Sequence, residues 1–284
     1  MKYLITGKNG QLAREFIARF ERDGADYLAP EETQLDITAP AAVSGCVDSW
    51  KPDVILNCAA YNLVDKAEQE PDKAAAVNRT GPENLARAAA KHQALIVHFG
   101  SDYVFDGLKE NGLYVESDPS RPLNVYGRTK WAGEEGVRQA CDRFLVLRLS
   151  WVFGAGTQNF IHKLRTWTET NEYLKIACDE FSVPTSTETV VDCTLRALQQ
   201  GLMGTYHLTN SGYCSRYEWA KKILQTLGIR KFIRPVPMDF FKLPAKRPGF
   251  SAMSNASLAG VLNIPIPAWE DAVDRFLRNE HADK

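Results

Sequence analysis

An excess of either charge is missing from this sequence. Among 284 residues, 34 Lys and Arg stand against 35 Asp and Glu, a formal net charge of −1. No dense Lys/Arg stripe supplies the field that gathers nucleic acid, so none is expected as a partner. Long apolar runs are also lacking. None approaches the roughly 20 residues of a membrane span, and no membrane partner is expected. The first residues enter a strand pattern directly, Lys2-Tyr3-Leu4-Ile5, with no basic n-region or apolar h-region. A cytoplasmic chain is the expectation. The six cysteines, Cys46, Cys58, Cys141, Cys178, Cys193 and Cys214, include no Cys-x-x-Cys pair. That spacing offers neither a zinc site nor a disulfide framework and reads as free, mostly buried thiols. There is no repeat and no low-complexity tract. What is left is a chain long enough for one large α/β domain or two domains sharing a cleft, with a small molecule as its partner.

The pattern that is present alternates. Apolar strands are expected at 1–5, 26–29, 53–60, 95–99, 144–149 and 204–208. Helices are expected between them at 14–22, 40–50, 66–77, 83–92, 126–137 and 190–200, with a break at 78–82 around Pro82. Residues 53–60 are nearly continuously apolar, as in a strand buried on both faces of a parallel sheet. This is the signature of a Rossmann-type doubly wound α/β fold, whose ligands bind beyond the carboxyl ends of the strands. The first strand runs into Thr6-Gly7-Lys8-Asn9-Gly10-Gln11-Leu12-Ala13, a glycine turn that lets backbone approach a pyrophosphate resting on the following helix N-terminus. Gly7, Ala59 and Ser101 all fall at such strand ends. Glu31 and Glu32 follow the second strand, either as ribose ligands or as solvated charges. No Arg stands there for a 2′-phosphate, so NADH and NADPH both remain open. The later chain is looser, with helices at 159–169, 217–227 and 268–279, a strand at 174–178, a loop at 179–187 and a Pro-rich stretch at 235–248. It reads as a smaller α/β substrate-binding domain. The expected division is 1–152 with 185–209 for the dinucleotide and 153–184 with 210–284 for the substrate.

Chemistry concentrates between Ser101 and Lys130. Tyr126 and Lys130, four residues apart, project from one face of a helix. The ammonium is expected to lower the phenol pKa. A Ser101 hydroxyl converging on the same point would complete a device that gives a proton to a carbonyl oxygen.

These motifs resemble the extended short-chain dehydrogenase/reductase superfamily and, within it, the dTDP-4-dehydrorhamnose reductase family. The resemblance runs over nearly the whole chain: Thr6-Gly7-x-x-Gly10-Gln11-Leu12, Leu35-Asp36-Ile37-Thr38, Asn57-Cys58-Ala59-Ala60-Tyr61 with Val64-Asp65-Lys66-Ala67-Glu68, Ser101-Asp102-Tyr103-Val104-Phe105-Asp106-Gly107, Asn124-Val125-Tyr126-Gly127-x-x-Lys130, Ser150-Trp151-Val152-Phe153-Gly154, Pro184-Thr185 and Arg247-Pro248. It implies reduction of the C4 ketone of dTDP-4-dehydro-L-rhamnose by NADPH or NADH, giving dTDP-L-rhamnose for cell-surface polysaccharide. Tyr126 would be the general acid, Lys130 its partner and a ribose ligand, and Ser101 the oxyanion donor. The resemblance places Gly7, Gly10, Gln11 and Leu12 at the pyrophosphate and Asp36 and Ile37 near adenine. It places Cys58, Ala59, Ala60 and Tyr61 along the ribose and nicotinamide, with Asn78 close by. Asp102, Tyr103 and Trp151 would border the sugar, and Arg247 would take the nucleotide diphosphate with its planar fork. It further implies a monomer or a homodimer joined by Mg2+, with Glu15, Glu188 and Glu280 near the metal positions.

Three departures from the family pattern stand out. Ala13 replaces the third glycine of the turn. Gly100-Ser101 replaces Ser-Thr before Asp102. Asp179-Glu180-Phe181-Ser182 replaces Asp-Gln-x-Gly before Pro184. Rival readings are a reductase or epimerase of another nucleotide-sugar, and a dinucleotide-binding regulatory subunit without turnover. A dehydratase is disfavoured because Tyr103, not Glu, follows Asp102.

Overall fold

A computed structural model describes residues 1–282, with side chains through residue 279. The first stretch runs β1 (Lys2–Thr6), α1 (Gln11–Asp23), β2 (Asp26–Leu28), α2 (Pro40–Trp50), β3 (Val54–Asn57), α3 (Val64–Ala67), α4 (Pro71–Ala75), α5 (Gly81–Lys91), β4 (Leu95–Ser101), α6 (Val125–Ala140) and β5 (Phe144–Leu149). The chain then leaves through β6 (Val152–Phe153), α7 (Phe160–Thr170), β7 (Leu174–Ala177), β8 (Phe181–Ser182) and β9 (Thr185–Ser186). It returns with α8 (Thr187–Gln199) and β10 (Gly204–His207), and departs again through β11 (Cys214–Ser215), α9 (Arg216–Thr226), β12 (Ile233–Val236), α10 (Ala256–Leu262) and α11 (Trp269–Ala282).

Six strands form one parallel sheet in the order β10-β5-β4-β3-β1-β2. The apolar run of each central strand serves both faces. Leu4, Ile55, Ile96 and Val146 pack in the layer that holds Val47 of α2, Leu85 of α5 and Val137 of α6. Ile5, Leu56, Val97 and Leu147 pack with Phe16 of α1 and Val190 of α8 on the other side. A sheet covered on both faces needs no polar alternation, which is why the strands read as continuous apolar segments. A separate core gathers Phe153, Ile161, Leu174, Trp219, Ile223 and Val273 from the later elements. The residues expected to form a loop at 179–187 carry β8 and β9 and open α8. The strand β12 and the helix α10 are additions to the sequence reading.

The expected helix break at 78–82 is not a break. Residues Ala76–Thr80 form a π turn that joins α4 to α5 with every flanking residue still helical. Pro82 has no N–H to give the Asn78 carbonyl one helical turn back, so the coil widens there instead of ending. That carbonyl faces Gly133 of α6, where an added Cβ would lie 2.0 Å away. Glycine is the only residue that fits this approach.

Candidate active site

A cavity of about 680 Å3 opens at the carboxyl ends of the parallel strands and is walled on its far side by α7, β7 and the 238–247 segment. The glycine turn borders it. Gly7 has a φ of +68°, and a Cβ there would lie 2.7 Å from the Ala59 nitrogen. The turn and the end of β3 are in backbone contact, so only glycine satisfies both the dihedral and the space. Gly10 stands before α1 with no side-chain cap on the helix amides. Gly10, Gln11 and Leu12 line the cavity, so the uncapped first turn borders it, an arrangement suited to a pyrophosphate. These residues fit a dinucleotide.

Ser101 ends β4 and Asn124 caps α6, its Oδ1 accepting the Gly127 N–H at 2.7 Å. The cap sets Tyr126 and Lys130 on the cavity side of the helix, and Gly127 lets α6 lie against the Tyr103 carbonyl. Ser101, Tyr126 and Lys130 thus line one space. The Lys130 Nζ donates to the Phe99 carbonyl at 2.6 Å. Burial lowers Lys130 to about 8, against the opposing charges of Glu134 and Cys58. The expected lowering of the Tyr126 phenol is overturned. Burial pushes it up to about 12, with the Ser101 hydroxyl opposing and the Asp102 charge adding. Desolvation of the phenolate outweighs any help from an ammonium that is directed at a backbone carbonyl. A phenol held protonated is suited to donating its proton.

Asp102 lines the cavity and is 3% exposed. Its Oδ2 accepts from Ser182 Oγ at 2.8 Å and Ser251 Oγ at 2.6 Å, and its Oδ1 from Ser101 Oγ at 3.3 Å. Burial raises it to about 6, helped by the Glu180 charge and opposed by the three hydroxyls. Tyr103 meets Tyr126 edge to face at 5.6 Å, and its OH donates to Glu180 at 3.4 Å. Glu180 also pairs with Arg216, at 3.3 Å. The Arg216 guanidinium lies 3.5 Å over the Trp151 ring, which stacks on Trp219. Trp151 has a φ of +40°, a left-handed conformation costly for a bulky side chain. Its indole nitrogen is buried without a partner among the described residues. The Arg247 fork, expected for a diphosphate, is filled by Asp65, with contacts of 2.7 and 3.0 Å. It lines the cavity as a clamp between α3 and the 245–247 segment.

The other expected residues divide into two groups. Gly10, Gln11, Leu12, Cys58 and Ala60 line the cavity. Gly7, Ala59, Tyr61 and Asn78 stand behind that wall. Asn78 holds it: Oδ1 accepts the Tyr61 N–H at 2.8 Å, and Nδ2 donates to the Tyr61 carbonyl at 3.1 Å and Thr129 Oγ1 at 3.2 Å. Asp36 is exposed, its Oδ1 occupied by the Thr38 N–H and hydroxyl. Ile37 is buried against Gly81. Glu31 pairs with Lys8 at 2.9 Å and accepts from Asn9 at 2.8 Å, so this acid, and not Glu32, is tied to the glycine turn. The glutamates expected at a metal are placed only in part: Glu15 and Glu188 line one surface hollow. Glu15 accepts from Thr187 and Glu188 pairs with Arg275, while the Glu280 side chain lies outside the described residues. Among the described residues no group of three His, Cys, Asp or Glu is placed to hold an ion. No described helix is long and apolar enough to cross a membrane.

Sequence reasoning assigned no role to Glu180, Ser182, Arg216 or Ser251, although Glu180 and Ser182 lie in the stretch that departs from the family pattern. Arg216 left a trace of another kind. Ser215 and Glu218 form a capping box, a Ser-x-x-Glu signal that starts α9 at Arg216 and so sets its direction.

Comparison with known proteins gives one consistent result. A family model described as the RmlD substrate binding domain matches residues 1–282. The dTDP-4-dehydrorhamnose reductase of Escherichia coli (strain K12) is 33% identical over 300 residues, covering 98% of this chain and 97% of that protein. The crystal structure of a dTDP-4-dehydrorhamnose reductase from Clostridium acetobutylicum superposes with a TM-score of 0.95 at 34% identity, over 99% of this chain and 100% of that one. The Bacillus anthracis dTDP-4-dehydrorhamnose reductase, solved in complex with NADP, superposes with a TM-score of 0.94 at 31% identity, over 98% and 99% of the two chains.

Proposed function

The chain belongs to the RmlD family of dTDP-4-dehydrorhamnose reductases, and from that premise we propose that it reduces the C4 ketone of dTDP-4-dehydro-L-rhamnose to dTDP-L-rhamnose with NADPH or NADH. The observation that carries the reading is the meeting of Ser101, Tyr126 and Lys130 in one cavity, at the ends of parallel strands and against a glycine turn. In this reading residues 1–152 with 185–209 take the cofactor, and 153–184 with 210–284 cover the sugar nucleotide.

The reduced nicotinamide, when bound, supplies the hydride that the ketone carbon receives. Charge then grows on the ketone oxygen, and the chain's own residues answer it. Tyr126 carries its proton at neutral pH because burial holds its pKa high, and it gives that proton to the oxygen. Ser101 donates a hydrogen bond to the same oxygen. Lys130, anchored on the Phe99 carbonyl, places a positive charge beside the phenolate that remains. Trp151 and Tyr103 give the sugar flat walls. The test is the loss of dihydronicotinamide absorbance on adding dTDP-4-dehydrorhamnose. Tyr126→Phe is expected to lower turnover by about 10²–10⁴-fold, and unchanged turnover in that variant rules out the assignment of the acid. Oxidation of neither NADPH nor NADH by the wild-type protein rules out the reductase.

A further inference from the structure

We propose that Asp102 is a positioning residue that ties the hydroxyl of Ser101 to the substrate-covering layer, and not a contact for the sugar. The inference rests on the reductase reading of the site and deepens it. The Asp102 carboxylate has three O–H donors, Ser101, Ser182 and Ser251, all buried. Two of them belong to the later part of the chain. Ser182 lies in β8, and Ser251 is held beside it, since its N–H donates to the Phe181 carbonyl at 2.9 Å and the Phe181 N–H to the Gly249 carbonyl at 2.8 Å. Asp102 itself directly follows the last residue of β4. One carboxylate therefore joins the end of the parallel sheet to the small paired segments above it, through bonds strengthened by its charge.

The sequence independently sets this arrangement apart. Ser182 sits in the stretch that departs from the family pattern, where the resemblance expects Gly, and glycine has no hydroxyl to donate. Gly100 fits the same picture. A Cβ there would lie 2.3 Å from Glu134 Oε1, so the hydroxyl residue the pattern expects before Ser101 would have to displace the Glu134 carboxylate, which is buried and paired with Arg148. Ser101 is left to act without that neighbour, and its oxygen accepts the Tyr103 N–H at 3.2 Å while its proton goes to Asp102. To donate to a ketone oxygen, Ser101 turns its proton from Asp102 into the cavity. Ser182 and Ser251 hold the carboxylate in place through its Oδ2 while Oδ1 gives up its donor. The charged and titratable groups facing Asp102 are Glu180, Tyr103 and Tyr126, and none of them can replace those donors at its two oxygens.

Steady-state kinetics of Asp102→Asn and Ser251→Ala, with NADPH titration by fluorescence as the check of folding, test the proposal. Ser251→Ala removes one oxygen remote from the cavity. It is expected to lower kcat about 5- to 20-fold, with the KM for the ketosugar nucleotide within about twofold, the pattern of a lost transition-state interaction. It is also expected to move the acid limb of the kcat–pH profile upward, because a lost donor disfavours the carboxylate. Asp102→Asn is expected to lower kcat and abolish that limb. A raised KM at constant kcat in Asp102→Asn, or wild-type kcat and pH profile in Ser251→Ala, overturns the proposal and leaves the reductase standing. A wild-type protein that binds NADPH but reduces no nucleotide ketosugar removes the reductase reading, and this inference with it.

Discussion

Asn78→Ala is expected to destabilise the protein by about 5 kcal/mol while touching no ligand. Its amide spans from the π turn to the backbone of Tyr61 on one side and Thr129 on the other. Asn78 is 1% exposed and Tyr61 is 8% exposed. Truncation strands two buried backbone groups of Tyr61, each costing about 1–3 kcal/mol, and forfeits a third, neutral bond worth about 1 kcal/mol. A midpoint estimate for the three is about 5 kcal/mol. Thr129→Val removes the third bond together with the Thr129 hydroxyl's own bond to the Tyr126 carbonyl at 2.9 Å, and serves as the internal scale for two neutral bonds, at about 2 kcal/mol. Urea unfolding at equal m-value measures both. Because the Tyr61 segment continues the cavity wall at Ala60, Asn78→Ala is also expected to weaken dinucleotide binding, read by titration at a temperature where the variant is folded. An Asn78→Ala protein within about 1 kcal/mol of wild type, no worse than an ordinary surface change, refutes the claim that this side chain holds the wall.

Three further outcomes follow from the same geometry. Lys130 titrates near 8 when folded against 10.5 for an unburied lysine; between those values the unfolded chain binds more protons, so this residue makes stability rise with pH, and Lys130→Met is expected to flatten that rise in thermal melts taken from pH 8 to 10.5. Gly133→Ala puts a Cβ 2.0 Å from the Asn78 carbonyl and is expected to cost more than about 3 kcal/mol, the upper end for overpacking, with soluble expression and melting temperature as the measurements. Arg247→Ala opens the clamp to Asp65 and is expected to cost about 1 kcal/mol, discounted because Asp65 is partly exposed; proteolysis of the 238–247 segment, quickened in the variant, reports the opening.

The sheet was legible because its central strands are buried on both faces, which writes them as unbroken apolar runs between amphipathic helices. The glycine turn and the Tyr126–Lys130 pair were legible because each depends on local spacing. What escaped depends on contacts between distant segments. Nothing near Ser251 in sequence announces Asp102, and nothing near Asp65 announces Arg247. The helix break at Pro82 was misjudged for a related reason. Proline removes a hydrogen bond wherever it stands, but whether the helix ends or widens depends on α6, whose Gly133 makes room for the freed carbonyl. The pKa of Tyr126 was misjudged because a neighbouring lysine is visible in sequence and desolvation is not.

Trp151 and Trp219 lie with ring centres 5.6 Å apart and planes within 10° of parallel, and the Arg216 guanidinium lies 3.5 Å from the first and 5.5 Å from the second. Two indoles so close and so nearly aligned share their excited states, and the exchange depends steeply on their mutual angle. Both rings border the cavity, and Trp219 is also part of the second core, against which Trp151 packs. A ligand that turns one ring by a few degrees therefore rewrites the far-ultraviolet circular dichroism and the fluorescence of the pair. The chain carries its own optical gauge of occupancy, readable without a label, a coupled assay or a chromogenic substrate.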